Sequence, residues 1–155
     1  VNVAIIGGAA NAAHLIRPDW ELWRLGRYAD AYPRVTRLFE LHRPDVYQYW
    51  LDKMNATGVP VYVQEAHEDL ENAHLIKLTD RVKRWGYVTN SIAAMIAVAI
   101  DEGAESIELH GCPMTDGGIY AHQKPSLLYW IGIAKALDID VEDYSGIVDW
   151  EATYG

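Results

Sequence analysis

Thr89-Asn90-Ser91-Ile92-Ala93-Ala94-Met95-Ile96-Ala97-Val98-Ala99-Ile100-Asp101-Glu102-Gly103 reads as a helix, and Ser106-Ile107-Glu108-Leu109-His110-Gly111 reads as the strand that follows it. Thr89, Asn90 and Ser91 are capping residue types, because a short polar side chain can accept from the free amides of a first turn. The apolar run Ile92 to Ile100 makes the helix body, and Gly103 stops it. Ser106 to His110 closes on Gly111, as a short buried strand does. Cys112 to Gln123 then reads as a glycine-rich polar loop. Lys124-Pro125-Ser126 opens a second helix with proline near its first turn, running to about Leu137, and Ile139 to Tyr144 is a last strand. Helices and strands alternating in this order predict right-handed parallel crossovers. The expected fold is α/β and Rossmann-like, a mostly parallel sheet with helices on both faces.

The amino-terminal half carries the same alternation less cleanly. Val3-Ala4-Ile5-Ile6 ends at Gly7-Gly8 and reads as a buried strand. Glu21 to Leu25 and Arg37 to His42 are strand candidates, separated by a turn over Ala29 to Arg34. Asp45 to Ala56 reads as one helix, with Val46, Tyr49, Trp50 and Met54 at helical spacing and Gly58 beyond its end. Val59 to Gln64 reads as a strand, and Glu65 to Gly86 shows no period that assigns it. Without repeats, linkers or low-complexity segments, residues 1–155 are expected to form a single domain.

Composition bounds the function. Half of the 155 residues are hydrophobic and 23% are charged, which suits a globular chain. The longest apolar stretches are too short for a membrane span. No secretory leader is legible, and the single Cys112 leaves no internal disulfide, so a cytoplasmic protein is expected. Thirteen basic residues face 22 acidic ones. That balance excludes a sequence-independent nucleic-acid binder, which needs a basic surface. The clusters Arg24 to Arg37 and Lys77 to Arg84 read as solvated faces, and homo-oligomerisation stays open.

Ligands of open α/β sheets collect beyond the carboxyl ends of strands. Three segments have that placement. Gly7-Gly8-Ala9-Ala10-Asn11 can bring backbone amides to an anion, although a plain tight turn explains it equally. Asn90 and Ser91 begin a helix whose amino end suits a phosphate, although either could simply cap it. The loop after His110 is long for its place and polar, with Gly111, Met114 and Gln123 as candidate contacts and Tyr120 and His122 as candidate chemistry. An imidazole titrates near neutrality, so His122 is the candidate base. His42 ends a predicted strand, which makes it a further candidate contact at the same site. The six histidines show no HxxxH or HxH pair, and Cys112 has no cysteine partner, so no metal site is expected. The six tryptophans read as packing rather than as stacking platforms for bases.

The run from Tyr87 to Met114, YVTNSIAAMIAVAIDEGAESIELHGCPM, resembles the pattern T-S-x-x-x-M-x-x-x-A-I-x-x-G-x-x-x-I-x-L-x-G-x-D-M. That pattern is found in Rossmann-like proteins of tailed phages related to the archaeal 6-hydroxymethylpterin diphosphokinases. It is also similar to the nucleotide-binding core of small bacterial sialyltransferases. Tyr120, Gln123, Pro125, Ser126, Tyr129 and Trp130 continue the phage-type pattern, as do Phe39-Glu40-Leu41-His42 and Pro60-Val61-Tyr62-Val63. The resemblance implies that Asn90 and Ser91 lie near a nucleotide, that Tyr120 meets its phosphate, and that Gly7, Gly8 and Asn11 lie under the same ligand. Pro113 stands where the pattern has Asp, which removes a carboxylate from that position.

The leading expectation is a nucleotide- or nucleotide-sugar-dependent transferase resembling glycosyltransferases, with the nucleotide as ligand and no certain cofactor. If phage-encoded, it would act in the host cytoplasm. A protein that only sequesters a nucleotide-derived molecule is the second reading. Pyrophosphoryl transfer is the third, and it would want Mg²⁺ and more carboxylates near the site.

Overall fold

A computed structural model describes residues 1–9, 17–31, 34–86, 88–112, 114 and 119–147, without the side chains of residues 81, 82, 85, 119 and 120. Its strands are β1 (Asn2–Ile6), β2 (Glu21–Leu25), β3 (Arg37–Glu40), β4 (Val61–Val63), β5 (Ala73–Leu75), β6 (Ser106–His110) and β7 (Asp140–Asp143). They form one seven-stranded sheet in the order β5-β4-β3-β2-β1-β6-β7. Every pairing is parallel. The chain steps outward from β1 to β5, then returns to place β6 on the other side of β1. This reversal puts a crevice at the carboxyl ends of β1 and β6, where the connections leave in opposite directions.

Among the described residues, five α-helices accompany the sheet: α1 (Pro44–Tyr47), α2 (Leu51–Thr57), α3 (Leu78–Trp85), α4 (Ser91–Asp101) and α5 (Ile119–Ala136). Side chains alternate across a strand. Val3, Ile5, Trp23, Phe39, Ile107 and Leu109 therefore share one face and pack with α4 and α5. Leu38, Val61 and Val63 point the other way, against Tyr47, Leu51 and Met54 of α1 and α2. The α/β fold with helices on both faces is thus as expected. α4 has no polar face, and all nine residues from Ile92 to Ile100 are buried, as in a helix covered all round.

Several element boundaries differ from the sequence reading. The helix expected over Asp45 to Ala56 is broken: α1 passes into a 3-10 turn at Gln48–Trp50, and α2 follows. Trp50, at φ −129° and ψ 19°, leaves helical geometry where α2 begins. The strand expected from Arg37 to His42 stops at Glu40. Residues 65–86, left unassigned, hold β5 and α3. α5 starts at Ile119, so the expected loop from Cys112 to Gln123 is shorter, and Pro125 lies inside the helix. Pro125 and Ala121 are both exposed, so the helix carries the proline on its solvent side, where water can meet the carbonyl that proline cannot serve.

The solvated-face reading fails at both ends of the Arg24 to Arg37 cluster. Arg24 is buried. Arg37 lies with its guanidinium 4.4 Å from the ring centroids of both Trp23 and Tyr62, and pairs with Glu102 at 2.7 Å. No described helix is long and apolar enough to cross a membrane.

Candidate functional site

A cleft of about 950 Å³ opens at the carboxyl ends of β1, β2, β3 and β6. This is within the size range of small-molecule sites. One wall is the turn after β1. Gly7 donates to the His110 carbonyl at 2.7 Å, and Ala9 donates to Gly111 at 3.1 Å, so the β1 and β6 turns are tied together. A Cβ on Gly7 would lie 2.3 Å from the Gly111 oxygen, which is why only glycine fits. Gly111 itself takes φ 64° to turn the chain out of β6.

The opposite wall is the start of α4. Asn90 is its N-cap: Oδ1 accepts from the Ala93 amide at 2.8 Å, and Nδ2 donates to the Gln123 carbonyl at 2.9 Å. The Thr89 amide donates to Ser126 Oγ at 3.1 Å. Asn90 and Ser126 thus bind α4 to α5. The capping explanation of Asn90 is correct, and the residue also lines the cleft. The dipole of α4 leaves partial positive charge at this wall.

Of the predicted contacts, the structure brings Gly7, Gly8, His42, Asn90, Ser91, Gly111, Met114 and Gln123 together around the cleft. Asn11 and Pro113 lie outside the described residues. Tyr120 sits in the first turn of α5, and its side chain is not among those described. His122 is exposed on the same turn and is not part of the described cleft wall.

The sequence reading missed Arg27, Tyr28, Glu40 and Gln64, which also line the cleft. Arg27 and Tyr28 belong to the 3-10 turn at Gly26–Ala31, directly after β2. The rule that pointed to the ends of β1 and β6 also points there. Arg27 is the one lysine or arginine in the described wall. Its guanidinium carbon lies 5.9 Å from the Tyr28 ring and 6.0 Å from the Trp50 ring. Glu40 is buried, with His42 Nδ1 2.5 Å from its Oε1. Trp50 Nε1 donates to its Oε2 at 2.7 Å.

Cys112 is 4% exposed, and burial pushes its thiol up to about 12. A thiol with that value is only about one part in ten thousand thiolate at pH 8, the form that reacts. Iodoacetamide at pH 8 is expected to label Cys112 only after denaturation. Equal labelling rates in native and denatured protein would contradict its burial. No group of three or more histidine, cysteine, aspartate or glutamate side chains among the described residues could hold a metal ion.

The fold defines a Rossmann-like α/β domain with an open cleft beyond its strands. No family profile and no curated protein matches the chain. Solved structures do. The sialyltransferase CstII from Campylobacter jejuni in complex with cytidine-5'-monophosphate (CMP) is 16% identical, with a TM-score of 0.58 over 92% of this chain and 79% of that one. The same enzyme with CMP-3FNeuAc gives 17% identity and a TM-score of 0.60 over the same shares. A complex of CST-II with a trisaccharide acceptor and CMP gives 16% and 0.58, over 92% of this chain and 80% of that one. At such identity the likeness is one of fold.

Proposed function

We propose that the protein is a nucleotide-sugar-dependent transferase of glycosyltransferase type, holding the nucleotide part of its donor in the cleft. The observation that carries the reading is the convergence at one crevice of the glycine turn after β1, the amino end of α4 and Arg27. The amino end of α4 and a guanidinium together suit a phosphate, and the glycine turn, whose Gly7 and Ala9 amides are held by the β6 turn, lets a ligand approach the backbone closely. The fold neighbours with CMP or a CMP-sugar support the nucleotide part.

In this reading Gly7, Gly8, Asn11 and Gly111 lie under the nucleotide. Asn90, Ser91, Met114 and Gln123 flank it, and Tyr120 meets its phosphate. Two histidines compete for the proton-transfer role, His122 and His42. The sequence favours the first and the geometry the second.

Calorimetry with CMP, then with a panel of nucleoside mono- and diphosphates, tests the binding step. Arg27→Ala should weaken the tightest of these by about tenfold, since an exposed charge-assisted hydrogen bond lies at the low end of its range, about 1.5 kcal/mol. The binding should persist in chelator, because the contacts invoked are amides and a guanidinium. Unchanged affinity in Arg27→Ala would remove the phosphate from this wall. Incubation with nucleotide sugars, measuring released nucleotide, tests turnover. Binding without release from any donor would favour the sequestering protein instead.

A further inference from the structure

We propose that His42, held by the buried carboxylate of Glu40, is the group that takes the proton from the attacking hydroxyl. This rests on the transferase reading and assigns a role within it. Glu40 ends β3 and is 3% exposed, whereas the His42 side chain is 57% exposed at the cleft. The two residues are separated by one position, so both can turn to the same side as the strand ends.

Three donors converge on the Glu40 carboxylate. His42 Nδ1 lies 2.5 Å from Oε1, the His42 amide donates to the same oxygen at 3.1 Å, and Trp50 Nε1 donates to Oε2 at 2.7 Å. An ionised carboxylate only accepts, so the proton of a neutral imidazole is held on Nδ1, and Nε2 carries the free lone pair. No described residue bonds Nε2. The Trp50 ring, edge-on to the imidazole at 6.1 Å, restricts its swing. The 3-10 turn that breaks the helix after β3 is what sets Trp50 against Glu40. Burying a glutamate in a strand end needs such partners, and they fix the ring that projects into the cleft.

Among the described residues, three charged groups stand near His42 along the chain or the cleft wall. Glu40 lies beneath it, Arg27 stands beyond the Trp50 ring, and Arg43, next in the chain, is paired to Asp45 at 3.2 Å. Among the described residues, none holds His122 in such an arrangement. It is exposed, and no described side chain orients it.

In the step itself, the acceptor oxygen forms a bond to the anomeric carbon of the donor sugar. The bond from that carbon to the phosphate oxygen breaks, and its electron pair stays on the departing nucleotide. His42 Nε2 takes the acceptor's proton. Water can serve as acceptor, so donor hydrolysis exercises the same proton transfer without the natural acceptor. Glu40 and Trp50 touch no reacting atom and are positioning residues.

The experiment measures nucleotide release from a panel of nucleotide sugars, including CMP-linked ones, and CMP affinity by calorimetry. His42→Ala should keep CMP affinity within about threefold and cut release about 100-fold or more, the usual scale of acid–base catalysis. Added imidazole should restore part of the rate, which a purely structural role would not allow. Glu40→Gln should lower kcat with little change in KM. If that buried substitution unfolds the protein, the exposed His42→Ala still decides the matter. Full release by His42→Ala, or its loss in His122→Ala, overturns this assignment and leaves the transferase reading standing. Absence of release by the wild type from every donor overturns that reading, and the assignment falls with it.

Discussion

Trp23→Ala should lower the unfolding free energy by about 3–5 kcal/mol, the range for removing a large aromatic from a core. Trp23 is fully buried on β2, near the middle of the sheet, in register with Ile5 of β1 and Arg37 of β3. Its ring lies 5.0 Å from Phe39, and Phe39 stacks on Tyr62 at 5.1 Å. The loss is more than a cavity, because Arg37 is held between Trp23 and Tyr62 and would lose one of its two aromatic walls. Its carboxylates, Glu102 and Glu21, would remain. For a chain of this size, the melting temperature should fall by about 10 °C. Urea denaturation measures the free energy directly, and a loss under about 1 kcal/mol would show that the sheet repacks around the gap.

Gly7→Ala should weaken both the fold and the site. The new methyl would stand 2.3 Å from the Gly111 oxygen and 2.6 Å from Cys112 Sγ. The Gly111 atom is backbone and cannot swing away, so the turns after β1 and β6 must separate. The strain of overpacking is about 1–3 kcal/mol, and the two hydrogen bonds joining the turns would stretch with it. Nucleotide affinity should fall by tenfold or more, because the turn that forms this wall of the cleft would shift away from β6. Gly132→Ala is the control. Nothing lies within 4 Å of a Cβ there, in the middle of α5. It should stabilise the protein by roughly 0.5–1 kcal/mol through helix propensity. Equal effects from the two substitutions would show that Gly7 is not a close-contact position.

The strongest sequence signals came from elements buried on both sides. β1 and the body of α4 are apolar and run up to glycines, so hydrophobicity marks them, while β6 alternates Ile107 and Leu109 with polar residues before Gly111. β5 was illegible because it is a three-residue edge strand whose His74 and Leu75 are exposed, which leaves no alternation to read. The break at Trp50 was hidden for a different reason: Val46, Tyr49 and Met54 keep helical spacing on both sides of it. Pro125 misled because proline marks a helix start more often than it is tolerated inside one.

The site was legible where it rests on topology. Placement at strand ends singled out eight residues that do line the cleft. Glu40 was missed because a carboxylate in an apolar strand gives no sign of its partners until the chain is folded. Arg27 was missed because it was read with its neighbours as a charge run.

The strand order has a consequence for the growing chain. β1 occupies a central place, yet its neighbour β6 is separated from it by about a hundred residues. Until Ser106–His110 emerges, one side of Asn2–Ile6 presents free amides and carbonyls to the medium, a ready template for a foreign strand. During synthesis, therefore, the turn at Gly7 emerges early but lacks the His110 and Gly111 carbonyls that hold it. The pairing of β6 with β1 supplies both, and it closes the open edge of β1 at the same time.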